Sequence, residues 1–290
     1  MDFRLSAEQV DLRNGMRGLL ARRFGRDALR RTVERPVLDR ALWRELGAAG
    51  LFSLCLPEAE GGTGLGLPEA VVVFEECGRA LLPGPVVATF LAAGEVAGAA
   101  RGEVVVTEAS GGLVPWRGAA DVVRGDGGAG GVPIASVDPL TPLHVVSRDQ
   151  LPVPGGRRLL YAAEQLGSAG RTLDMAVQHA RQRQQFGRPV GAFQAIKHLC
   201  ADMLVRVELA RVAVYAAAVT RDPVEIAAAG LLADEAAVRG ARDCLQVHGG
   251  MGFTWEADVH LHLKRAWVRA ELGGGARAAE ETLAAALCTP

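Results

Sequence analysis

From Leu159 to Glu271 the chain passes through four long stretches whose apolar residues recur at helical spacing, and this pattern limits the fold more than any other feature. Leu159–Arg183 carries Leu160, Ala163, Leu166, Leu173 and Val177, with Gly167 and Gly170 placed to let another helix come close. Phe186-Gly-Arg-Pro189 ends that stretch. Phe193–Ala218 sets Ile196, Leu199, Cys200, Met203, Val207, Ala210 and Val214 on one stripe. Pro223–His248 and Val259–Glu271 follow. Four antiparallel helices of this length predict a four-helix bundle over residues 157–290.

Residues 1–102 also read as helical. Ser6-Ala-Glu-Gln9 matches a capping box, in which a hydroxyl and an amide satisfy the first free N–H groups. Leu42, Trp43 and Leu46 give Ala41–Ala49 an apolar face. Pro57–Gly66 breaks the pattern. Pro68 then opens a helix through Val72, Phe74 and Cys77 toward Leu82. Pro83 and Pro85 stop it, and Val86–Ala100 predicts one more. Residues 103–156 differ: Glu103–Thr107, Ala120–Val123, Val132–Ser136 and Leu143–Val146 are short strand candidates between dense Gly and Pro. A β unit this small is marginal alone and must lean on the helices around it. The expected class is mainly α, with helical domain, reduced β domain and bundle in that order.

Composition narrows the function classes. A formal net charge of −1 leaves no electrostatic footprint for nucleic acid. The five cysteines form no CxxC and read as thiols of a reducing cytoplasm, so no metal is expected. No run reaches the roughly 18 apolar residues of a membrane span, and MDFRLSAEQVDLRNG has charges where a signal peptide needs an apolar run. A cytoplasmic chain without membrane insertion is expected.

Two blocks could carry chemistry. HARQRQQFGRPVGAFQAIKH (His179–His198) ends one helix with Arg183, whose planar guanidinium can pair with phosphate oxygens. Gln194 falls in the first turn of the next helix, at the positive end of its dipole. In QVHGGMGFTWEADVHLHLKR (Gln246–Arg265), Gly249-Gly250 lets backbone N–H groups approach a pyrophosphate, and Gln246 offers both donor and acceptor. Taken as bare chemistry, a surface arginine with turn glycines and ordinary amides is the simpler account. GGTGLG (Gly61–Gly66) lacks the βαβ setting and spacing of a phosphate loop, and His260 and His262 fall on different helix faces.

Both blocks resemble the two cofactor motifs of the carboxy-terminal domain of acyl-CoA dehydrogenases. AAEQLGSAGRTLDMAVQHARQRQQFG resembles the helix leading into the first. DFRLSAEQVDLR and LPEAEGGTGLGLPEAVVVFEECGRAL resemble that family's amino-terminal domain. The resemblance implies a flavoprotein of two helical domains flanking a β domain, with FAD at a subunit interface. It implies an acyl-CoA substrate and an electron-transfer flavoprotein as acceptor. Arg183, Phe186, Gln194, Gln246, Gly249 and Gly250 would then contact FAD lying mainly in the other subunit.

Two family elements are altered. The catalytic carboxylate of most relatives falls at Gly274 here, and the alternative position of others falls at Arg157 and Arg158. Glu164, about two turns along the same helix, and Glu271 are the remaining candidate bases, with a bundle ion pair and a solvated helix end as their plainer readings. EVVVTEAS (Glu103–Ser110) and LVPWRGAAD (Leu113–Asp121) resemble the strands beside the flavin ring. Leu113 and Pro115 then stand where an aromatic and a Thr belong, and proline offers neither hydroxyl nor N–H. The expected function is FAD-dependent α,β-dehydrogenation of an acyl-CoA thioester, as the degenerate subunit of a hetero-oligomer. Two alternatives stay open: a self-sufficient homo-oligomer with Glu164 or Glu271 as base, and a flavin-free structural or binding protein on the same fold.

Overall fold

The computed structural model describes residues 4–125, 131–146 and 155–288. Helices α1 (Ala7–Arg23), α2 (Arg26–Glu34), α3 (Arg40–Ala48), α4 (Leu67–Arg79) and α5 (Val86–Ala92) come first. The expected capping box starts α1: the Gln9 N–H donates to Ser6 Oγ at 3.2 Å and the Ser6 N–H to Gln9 Oε1 at 3.0 Å. α2 has no counterpart in the sequence reading, since Leu29 and Val33 alone give it a buried stripe. α4 stops at Arg79 rather than Leu82, because Leu81 turns to φ +56°. α5 ends at Ala92 instead of Ala100; the chain then turns, with Gly98 at φ +85°.

Five short strands follow: β1 (Val106–Glu108), β2 (Leu113–Pro115), β3 (Val122–Arg124), β4 (Val132–Ile134) and β5 (Leu143–Val145). β1 pairs with β3 in parallel, and β2-β5-β4 forms an antiparallel sheet. The four predicted strands are present but shifted or trimmed; β2 is predicted only by the resemblance. Residues 126–130 and 147–154 of the expected β unit lie outside the described residues. The unit does lean on the helices: Val105, Trp116, Leu140 and Leu143 join one apolar core with Phe74, Leu159 and Leu160.

The bundle comprises α6 (Gly155–Gln182), α7 (Gln194–Thr220), α8 (Pro223–His248) and α9 (Val259–Leu272), with a hairpin of β6 (Gln184–Gln185) and β7 (Arg188–Pro189) between the first two. A further helix, α10 (Gly275–Cys288), was not predicted; of its residues only Ala279 is buried, so no apolar stripe announces it. α6 is the spine, packing against α4, α7, α8 and α9. Gly167 permits its crossing with α4, since a Cβ there would meet the Glu75 carbonyl oxygen at 1.8 Å. Gly170 does not serve that purpose; the nearest atoms to a Cβ there are arginine tips at 3.9 Å. Among the described residues no helix is long and apolar enough to cross a membrane.

One buried side chain ties the three parts together. Arg265 on α9 pairs through Nε with Asp138 of the β unit and donates from Nη1 to the Leu82 carbonyl at 3.0 Å. Asp138 is fully buried and also accepts from Thr141 Oγ1 at 2.6 Å.

Candidate functional site

The residues of the two cofactor-like blocks gather at one end of the bundle. The rings of His179, near the end of α6, and His248, at the end of α8, stack with centroids 4.1 Å apart. This contact, which the sequence reading gave no role, brings Arg183 and the Gln246–Gly250 segment to the same end. The Val190–Ala192 turn packs on α6, since a Cβ on Gly191 would lie 2.9 Å from the Ala180 carbonyl oxygen. It delivers the chain to Gln194, the first residue of α7.

Arg183, Phe186, Gln194, Gln246, Gly249 and Gly250 are all exposed. Phe186 and Gly187 form the two-residue turn between β6 and β7, at φ +50° and +77°. Positive φ at both positions is the twist-matched geometry of a tight hairpin. Gly suits it, whereas a bulky residue there is strained. Phe186 is nonetheless held outward and is 89% exposed. Phe193 supports the hairpin, edge-on to Phe186 at 6.1 Å and with the Arg188 guanidinium 4.3 Å above its ring. Gly249 has φ +59°, and a Cβ on either Gly249 or Gly250 would meet nothing within 4 Å. This end therefore presents an outward arginine, an outward ring, two amides and open glycine backbone. That donor set fits the diphosphate and adenine half of a dinucleotide.

The other end of α6 is built differently. Arg157 is buried, pairs with Glu108 of β1 and donates to the Ala109 carbonyl at 3.4 Å. Arg158 donates from Nη1 to the Gly273 carbonyl at 3.2 Å and from Nη2 to that of Gly275 at 3.0 Å. Ser110 Oγ donates to the Leu272 carbonyl at 2.9 Å, and Thr107 Oγ1 to that of Pro115. The β unit thus packs directly onto the turn holding Gly274, with two arginines filling the junction. Gly274 lies at φ +102°, a conformation that disfavours any carboxylate-bearing residue. Pro115 and Leu113 are tied into β2. These residues do not fit a flavin ring.

The two candidate bases have different settings. Glu164 is 2% exposed and ion-paired with Arg269, which also lies over the Tyr161 ring at 5.3 Å. Burial pushes the Glu164 carboxyl up, while Arg269 and Arg265 pull it back. Neither of its oxygens accepts a well-directed hydrogen bond. Its plainer reading, a bundle ion pair, describes the geometry. Glu271 is exposed on the last turn of α9, the solvated end expected of it. The two histidines set aside as a metal pair have separate surroundings: His260 stacks on Trp255 at 4.8 Å, and His262 meets Ser168 at 2.8 Å.

Comparison with known proteins bears on the whole chain. The model for the acyl-CoA dehydrogenase N-terminal domain matches residues 6–100, and that for the C-terminal domain matches residues 155–287. Acyl-CoA dehydrogenase IpdE2 of Mycobacterium tuberculosis is 36% identical over 305 residues, covering 91% of this chain and 92% of the relative. A chain in the crystal structure of the ChsE4-ChsE5 complex from the same organism superposes with a TM-score of 0.85 at 25% identity, covering 100% of both. Butyryl-CoA dehydrogenase from Megasphaera elsdenii superposes with a TM-score of 0.83 over 99% of this chain, at an identity of 21% that speaks to fold alone.

Proposed function

The chain belongs to the acyl-CoA dehydrogenase family, and we propose that it serves there as the cofactor-contacting, non-catalytic subunit of a hetero-oligomer that α,β-dehydrogenates an acyl-CoA thioester. The observation that carries this reading is the contrast between the two ends of α6. At one end Arg183, Phe186, Gln194, Gln246, Gly249 and Gly250 are exposed and open. At the other, Arg157 and Arg158 bind Glu108 and the carbonyls around Gly274. The ChsE4-ChsE5 structure, a complex of two differently named chains, supports a paired arrangement. The division into residues 1–102, 103–156 and 157–290 belongs to the same proposal.

In this scheme a homologous, complete subunit holds FAD and the acyl-CoA. When bound, FAD would supply the hydride acceptor. Arg183 would neutralise its diphosphate, Phe186 would pack on its adenine half, and the Gly249-Gly250 backbone would approach without a Cβ in the way. Proton abstraction falls to the partner, since Glu164 is committed to Arg269. An electron-transfer flavoprotein would serve as the electron acceptor.

Co-purification with a candidate complete subunit tests the reading. A yellow complex is expected, with this chain alone colourless, and Arg183→Gln is expected to strip flavin from the complex. A flavin-loaded, active homo-oligomer of this chain alone overturns it.

A further inference from the structure

A cavity of about 260 Å³ lies between α1, α2, α4, α6 and the start of α9, away from both ends of α6. Arg171 marks its place on the helix. Arg157 is roughly 21 Å away along the axis in one direction and Arg183 roughly 18 Å in the other, at 1.5 Å per residue. The cavity is thus separate from the closed junction and from the cofactor-contacting end.

Its charges do not cancel. Arg17 binds Glu76 in a two-pronged pair at 2.8 and 2.6 Å. Arg79 is committed to Asp174, and Arg26 to Asp258 at 2.8 Å. Every carboxylate in the wall is therefore matched by an arginine. Arg171, half-buried in the same wall, makes no hydrogen bond or ion pair among the described residues. Burial, then the nearby Arg79, destabilise its charged form, against smaller opposing pulls from Asp174 and Asp258 that stop short of a direct pair, so an added anion there relieves the unfavourable balance. His262, 3% exposed, also lines the cavity, with its Nδ1 occupied by Ser168. Leu20, Phe24, Leu29, Leu81 and Met175 supply the apolar remainder.

We propose that this cavity binds the carboxylate of a small apolar acid, anchored by Arg171 and with its hydrocarbon body against Leu20, Phe24, Leu29 and Met175. A single uncommitted guanidinium matches one planar carboxylate. A phosphate dianion needs more charge than one arginine supplies and gains nothing from the apolar wall. The volume lies just below the roughly 300–1,000 Å³ typical of larger ligands, which sets the size of the acid. Such a ligand bridges α1, α2 and α4 to α6 and α9, and so strengthens the seam between the N-terminal helices and the bundle. The inference stands independently of the flavin reading.

Isothermal titration of the full chain with octanoate is the test, with 1-octanol and inorganic phosphate as comparison probes. Saturable one-to-one binding of octanoate is expected, with no comparable binding of either comparison probe. Arg171→Gln is expected to weaken binding by at least about tenfold, the loss of a charge-assisted contact. Met175→Trp, which fills the cavity without altering charge, is expected to abolish it, with far-UV circular dichroism confirming both folds. The proposal fails if octanoate does not saturate, if 1-octanol or phosphate binds as well, or if both variants bind as the parent does.

Discussion

His262 meets Ser168 Oγ at 2.8 Å on α9. Burial first, then Arg171, Arg265 and Arg79, push its pKa down to about 3. The unfolded chain takes up this proton near pH 6.5 and the folded chain does not, so His262 costs stability as pH falls from about 6.5 toward 3. Asp234 works against this slope, because burial raises it to about 6 and the folded state then binds the extra proton. Comparing the parent with His262→Gln isolates the histidine. The parent's advantage is expected to shrink by about 1.4 kcal/mol per pH unit below pH 6, read from urea unfolding at several pH values. A constant difference would mean that His262 titrates normally. Phe186 makes the converse case, a residue strained in the free chain. Phe186→Asn, better suited to positive φ, is expected to keep or raise the melting temperature by relieving strain of about 1–3 kcal/mol. The same variant is expected to lower flavin retention in the complex; a lower melting temperature would contradict the strain. The outward residues were legible because they sit together in two motifs. The pairs Arg157–Glu108 and Glu164–Arg269 were not, because partners far apart in the chain leave no spacing to read.

At the level of elements, the crossing of α4 and α6 and the docking of α9 hold the parts together. Gly167→Ala would force a Cβ to within 1.8 Å of the Glu75 backbone oxygen, so the helices must separate. The expected cost is at least about 1–3 kcal/mol, as for other overpacked sites, read as a fall in the urea midpoint. Gly170→Ala has room and is expected to cost little or to stabilise a helical position. Equal effects of the two would remove the crossing as the reason for Gly167. Asp138→Ala leaves Arg265 buried without its partner, and a loss of about 3–5 kcal/mol is expected. The long helices of the bundle were readable because their apolar periodicity persists over many turns. Pro223–His248 matches the observed α8 at both ends, where a proline starts the helix and a glycine pair follows it. α2 and α10 went unread because α2 buries only Leu29 and Val33 and α10 only Ala279, too few positions to repeat a period. The strands shifted because three-residue pairings are set by their neighbours rather than by their own letters.

For the whole molecule, the outer side of α7 is the least resolved by a single chain. Met203, Val207, Ala210 and Val214 form its buried stripe, as the spacing predicts. The opposite side is apolar too: Leu204, Val205, Leu209, Val212 and Val219 are each 46–57% exposed. The spacing marks one stripe as core and is silent on the other, because periodicity identifies an apolar face but not what covers it. Monomeric proteins rarely leave such a face bare. It begins at Leu204, nearly three turns past Gln194, on the helix that follows the exposed hairpin of Arg183 and Phe186. The occupant consistent with that position is the homologous subunit of the proposed complex, whose FAD those residues would contact. Leu209→Glu places a charge at the centre of this face without touching the core, so the isolated chain is expected to keep its melting temperature within about 0.5 kcal/mol of stability. Desolvating an unpaired carboxylate at an interface is costly, so the co-expressed complex is expected to separate into subunits by sedimentation velocity and to lose its flavin in the same step. Were the complex to persist with its flavin, the outer face of α7 would not be where the subunits meet. The cofactor contacts would then have to be made by the Phe186 end alone.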